Sequence, residues 1–252
     1  MPPRIRLLIV LLGCVTGRPA VAENALLAVA ASFVPPMEAV AAAFTQETQH
    51  TITLVSGSTG GLYAQIVNGA PFDVFVAADA ERPRLLEASG HGVAGTRSTV
   101  AFGRLVLLSW DPDLVGKLGL GALTSDTVRH IAIANPRVAP YGLAAQQTLE
   151  TLGLWESVAP RIVRGESVAQ TYAMIATGNA DLGFVALAQV SATDSIGSYV
   201  LVPESYYAPI RQDVVVLARA RDNLAARAVR DYLLSGPAKD IFRSHGYTTD
   251  GP

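Results

Sequence analysis

Beyond the first two dozen residues, short unbroken apolar runs alternate with longer stretches in which apolar residues recur every three or four positions. The first pattern predicts strands buried on both faces, the second predicts helices with one buried side. Strands are predicted at 26–30, 51–55 and 73–77, with helices at 35–47 and 60–68 between them. Pro35 and Pro36 suit the first turn of a helix, where no backbone donor is required. The resulting β-α-β-α-β order is that of a mostly parallel sheet covered by helices on both faces.

The pattern then restarts, with strands predicted at 105–109, 131–134 and 182–185 and helices at 142–152 and 167–177. In the last helix Val168, Tyr172 and Ile175 fall at i, i+4 and i+7, on one face. A strand at 213–217 and helices at 224–234 and 237–245 follow. One restart in a chain of 252 residues, more than one compact domain usually needs, predicts two lobes. Glycine, proline and polar residues near Phe102-Gly103 and at 209–212 mark the chain crossings. One lobe is therefore expected to take 23–102 and 212–252, the other 103–211. The fold class expected is α/β, each lobe a mostly parallel sheet flanked by helices, with a ligand cleft between the lobes.

The N-terminus is read differently. Arg4 and Arg6 precede the apolar run 7–12, and Ala20-Val21-Ala22 is a small-residue cleavage pattern, so 1–22 reads as a signal peptide. The apolar run is far shorter than the roughly 20 residues that span a bilayer. Leu11-Leu12-Gly13-Cys14 also resembles a lipoprotein cleavage box, but Leu12 is bulky for that role and simple secretion is preferred. Cleavage after Ala22 removes the only cysteine, and with it any disulfide or thiol chemistry. It also removes Arg4, Arg6 and Arg18, taking the formal charge from −2 to −5. An acidic exported chain without a basic run is a poor nucleic-acid binder.

Four turns of small residues lead from a strand or loop into a helix: Ala30-Ala31-Ser32-Phe33, Gly57-Ser58-Thr59-Gly60-Gly61, Ala139-Pro140-Tyr141-Gly142 and Gly165-Glu166-Ser167-Val168. A helix start leaves about four backbone N–H groups unpaired and carries roughly half a positive charge, which suits an anion. Ser32, Ser58 and Thr59 add hydroxyl donors. Taken singly, Ser32, Ser58 and Ser167 also read as ordinary helix N-caps. If the turns converge, roughly six bonds of about 1.5–3 kcal/mol each offset an association cost of about 4–15 kcal/mol. Arg137 and Arg164 only flank two of the turns, so a donor set of neutral groups is expected.

These motifs resemble those of the periplasmic molybdate-binding proteins. The similarity runs through LLAVAASF (26–33), GSTGGLYAQI (57–66), GAPFDVFVAAD (69–79), NPRVAPYGLAAQQTL (135–149), GESVAQTYAMIATGNADLGFVALAQV (165–190) and YLLSGPAKDIFRSHGY (232–247). The resemblance implies a type II periplasmic binding protein whose two lobes close on molybdate or tungstate, delivered to the membrane permease of an ABC importer. It implies ligand contacts from Ala31, Ser32, Ser58, Thr59, Tyr141 and Val168, with molybdenum present only as bound molybdate. No further cofactor, no nucleic acid partner and a monomer are expected. Some relatives carry a serine at Thr59 and a ligand tyrosine at Ala186. Here Ala186 has no donor, and the phenol of Tyr141 is expected to replace it.

Other classes fit less well. A secreted hydrolase would need a G-x-S-x-G elbow and a nearby histidine, whereas His50, His91, His130 and His245 lie outside the four turns. A phosphate-loop NTPase would need the lysine missing from the Gly57 segment. A metal site of cysteine, H-E-x-x-H or EF-hand type has no matching spacing. A lipid-tethered sensor lobe would require cleavage at Cys14. Sulfate remains the alternative oxyanion, since charge alone does not separate it from molybdate.

Overall fold

The computed structural model describes residues 22–191 and 197–251. The basic start, the apolar run and Cys14 lie outside the described residues. In chain order the strands are β1 (Asn24–Ala30), β2 (Thr51–Gly57), β3 (Val74–Ala77), β4 (Ser98–Gly103), β5 (Leu105–Ser109), β6 (Ile131–Ala134), β7 (Ile162–Gly165), β8 (Leu182–Ala186), β9 (Ser198–Leu201) and β10 (Ile210–Val216). The helices are α1 (Val34–Thr48), α2 (Thr59–Val67), α3 (Glu81–Ala88), α4 (Leu114–Leu118), α5 (Pro140–Thr151), α6 (Trp155–Val158), α7 (Val168–Ala176), α8 (Leu187–Ser191), α9 (Leu224–Tyr232) and α10 (Gly236–Ser244). No described helix is long and apolar enough to cross a membrane.

Two five-stranded sheets form, in the orders β2-β1-β3-β10-β4 and β7-β6-β8-β5-β9. Both are mixed. In the first, β1 pairs parallel with β2 and β3, and β10 is inserted antiparallel between β3 and β4. In the second, β6 pairs parallel with β7 and β8, and β5 is inserted antiparallel between β8 and β9. Four of the five strands in each sheet thus run one way, so the two-lobed, helix-flanked α/β expectation holds with one reversed strand per sheet.

The alternation along each central strand explains the apolar runs. Leu27 and Val29 of β1, Val74 and Val76 of β3, and Val214 and Val216 of β10 face one core with Phe33, Met37, Phe44 and Phe242. Ala28, Phe75 and Val215 face the opposite core with Leu62, Ile66 and Leu86. A strand covered on both sides has no polar face, which is why these runs read as unbroken. The strands that the sequence left out, β4, β7 and β9, all lie at sheet edges. In β9 half-buried and exposed residues alternate, and three of the four residues of β7 are incompletely buried.

Candidate functional site

Each of the four turns follows the C-terminal end of a parallel-paired strand. β1 runs into a 3-10 turn (Ala31–Phe33) and then α1, β2 into α2, β6 into α5, and β7 into α7. Ligands of open α/β sheets gather beyond such strand ends, where loops and helix N-termini are exposed. Ser58 caps α2, its Oγ accepting from Gly61 N–H at 3.3 Å, and Ser167 caps α7, its Oγ accepting from Gln170 N–H at 3.3 Å. Pro140 opens α5 and places Tyr141 second in the helix, while Val168 stands first in α7. Backbone N–H groups at these positions have no intrahelical partner.

Ala31, Ser32, Ser58, Thr59, Tyr141 and Val168 all line one small cavity, completed by Ala30, Gly57, Ala78, Ala139, Pro140 and Ser167. Ser32 and Thr59 come from turns beyond the first sheet, Tyr141 and Val168 from turns beyond the second. The cavity volume is about 10 Å³, whereas pockets for organic ligands run to roughly 300–1,000 Å³. It therefore suits a single small ion. Among the described residues no charged residue lines it, and Tyr141 is the one lining residue with an ionisable side chain.

The hydroxyls differ in how they are used. Thr59 Oγ1 accepts from the buried Ala78 N–H at 3.1 Å, which occupies a lone pair and leaves its proton free to be donated. Ser32 Oγ and the Tyr141 hydroxyl are buried without a hydrogen-bond partner among the described residues. A buried hydroxyl left without a partner on the cavity wall, as at Ser32, is of a kind native proteins rarely leave unexplained. The Tyr141 phenol oxygen packs against Gly103 at the end of β4, where any side chain would strike it. Burial pushes this phenol well above the usual tyrosine range, and the neighbouring Tyr247 hydroxyl adds to the rise.

Ala186 is fully buried and is not part of the cavity wall. Arg137 and Arg164 line a separate cavity of about 510 Å³ with Asn135, Pro136 and Gln146. The two sides of the cleft also touch directly. Gly60 N–H donates to Val138 O at 2.8 Å. Arg82, paired with Asp79, donates to Arg137 O at 3.0 Å. Sequence reasoning did not single out Ala78, whose amide sets the Thr59 hydroxyl, or Tyr247, whose hydroxyl donates to Ser32 O at 2.7 Å. Both lie inside quoted motifs, but nothing local in those motifs signals such long-range bonds.

A sequence profile of the bacterial extracellular solute-binding proteins matches residues 25–248. A molybdate-binding protein of Azotobacter vinelandii is 47% identical over 222 residues, which is 87% of this chain and 88% of that one. Its counterpart in Rhodobacter capsulatus is 43% identical, over 92% of this chain and 91% of its own. The solved structure of an A. vinelandii periplasmic molybdate-binding protein superposes with a TM-score of 0.85 at 40% identity, covering 89% of this chain and 98% of that one. The work of such proteins is capture, not catalysis. With the fold, the cavity at the strand ends and these identities in agreement, the chain belongs to the bacterial extracellular solute-binding protein family, in the group formed by these molybdate-binding relatives.

Proposed function

We propose that this protein captures molybdate, and tungstate with it, outside the cytoplasm and delivers the ion to the permease of an ABC importer. The observation that carries the reading is the convergence of Ser32, Thr59, Tyr141 and Val168, with Ala31 and Ser58, on one cavity of about 10 Å³ that no charged residue lines. Hydroxyl and backbone donors there would meet an unprotonated tetrahedral dianion. Phosphate keeps a proton near neutral pH and would need an acceptor placed to receive it. In this reading residues 1–22 are the export signal, the lobes are 23–102 with 212–252 and 103–211, and the protein acts as a monomer in the periplasm.

Calorimetry of the mature protein against molybdate, tungstate, sulfate and phosphate tests the proposal. Tight binding of the first two, with sulfate and phosphate weaker by orders of magnitude, is the expected result. Sulfate bound as tightly as molybdate would reassign the ligand, and no binding of any of the four would remove the oxyanion reading.

A further inference from the structure

We infer that Tyr247, which is not among the residues that line the cavity, is a positioning residue for the anion: its hydroxyl fixes the Ser32 turn so that the Ser32 hydroxyl faces the ligand. The inference rests on the oxyanion reading of the same cavity. Tyr247 is 4% exposed, and its hydroxyl donates to the Ser32 carbonyl oxygen at 2.7 Å across 215 residues of sequence. The turn it holds is only three residues long, with no side-chain cap of its own. A single 3-10 turn fixes its peptide planes weakly, so an external bond to its central carbonyl decides where the residue points.

Tyr247 is itself held rigidly. Its ring meets Phe33 edge-on at 4.8 Å, and its N–H donates to Phe242 O at 3.1 Å. The next residue, Thr248, exchanges backbone bonds with Phe102 of β4 at 2.8 and 3.0 Å. The tether therefore runs from the last strand before the first crossing, through Tyr247, to the carbonyl of a residue whose Oγ is buried at the cavity without a partner. Orientation of a donor by a residue behind it is how binding sites reach tight geometry without further ligand contacts.

The test is a double-mutant cycle read by molybdate calorimetry. Tyr247→Phe keeps the ring and removes the tether, and should raise the Kd about two- to tenfold, the worth of one neutral hydrogen bond. In a Ser32→Ala background the same substitution should change the Kd by less than about twofold, because the donor it orients is gone. In a Thr59→Ser background its effect should persist. Site-specific para-aminophenylalanine at 247, which restores a donor at the ring's para position, should recover affinity relative to the phenylalanine variant. An unchanged Kd for Tyr247→Phe, or an equal loss with and without the Ser32 hydroxyl, would overturn the inference, the second outcome assigning Tyr247 to general packing. If wild type binds a different oxyanion, the cycle is run with that ion. Failure of wild type to bind any oxyanion instead removes the reading on which the inference rests.

Discussion

The Gly60 N–H and the Val138 carbonyl meet at 2.8 Å across the cleft, one from the turn that opens α2 and the other from the segment that precedes α5. The approach is so close that a Cβ on Gly60 would lie 2.9 Å from Val138 Cα and 3.1 Å from Arg82 Nη2. Glycine is required here by the opposite lobe and not by its own helix. This contact bridges the two sides that wall the cavity, so we expect that separating Gly60 from Val138 would widen the proposed anion site.

Gly60→Ala should therefore weaken binding without harming the separate lobes. Overpacking of this kind costs about 1–3 kcal/mol, close to ten- to a hundredfold in Kd. The ligand-free melting temperature should hold or rise, since alanine favours a helix start over glycine. Calorimetry and thermal melts of the two proteins check both halves, and unchanged affinity would show that the contact does not control closure.

Tyr141→Phe should move stability and affinity in opposite directions. The hydroxyl is buried beside Tyr247 with no well-formed hydrogen bond among the described residues, so its removal relieves up to about 1–3 kcal/mol of desolvation. Its bond to a bound anion would be lost at about 1.5–3 kcal/mol, on the order of ten- to a hundredfold in Kd. A variant that binds as tightly as wild type would leave only the backbone of Tyr141 as a donor.

Thr59→Val should lower both quantities. Valine takes away the donor and also the acceptor of the Ala78 N–H, leaving a buried amide unpaired at a cost of about 1–3 kcal/mol. Thr59→Ser keeps the oxygen and should stay within about threefold of wild-type affinity. Urea unfolding of the ligand-free proteins, set beside molybdate titrations, separates the two effects.

Affinity should be flat from about pH 6 to 9, because among the described residues the only lining residue with an ionisable side chain is Tyr141, whose phenol stays neutral there. Stability behaves differently at high pH. Burial raises the phenols of Tyr141 and Tyr247 above their ordinary value of 10.0. The unfolded chain therefore ionises first, and the stability these groups contribute below that value is lost as pH rises through and beyond it. Urea midpoints measured upward from neutral pH should fall on the alkaline side, and less steeply for Tyr141→Phe.

The sequence by itself determined the elements whose information is local. Strands buried on both faces, such as β3 and β6, leave an unbroken apolar run, and the small-residue turns after β1, β2, β6 and β7 announce helix starts able to hold an anion. Ser32, Thr59, Tyr141 and Val168 were legible as candidates for that reason, and the structure brings them to one cavity. The edge strands β4, β7 and β9 were not legible, and β9, for one, is only four residues long with half-buried and exposed residues alternating.

Only the tertiary structure decided which way β5 and β10 run, because their apolar sequences would serve either direction. Only it decided that Ala78 sets the Thr59 hydroxyl, that Tyr247 holds Ser32, and that Gly60 meets Val138. The physical reason is the same in each case. A periodic pattern records which face of an element is buried, but a hydrogen bond between residues tens or hundreds of positions apart depends on how whole layers pack, and that leaves no period in the chain.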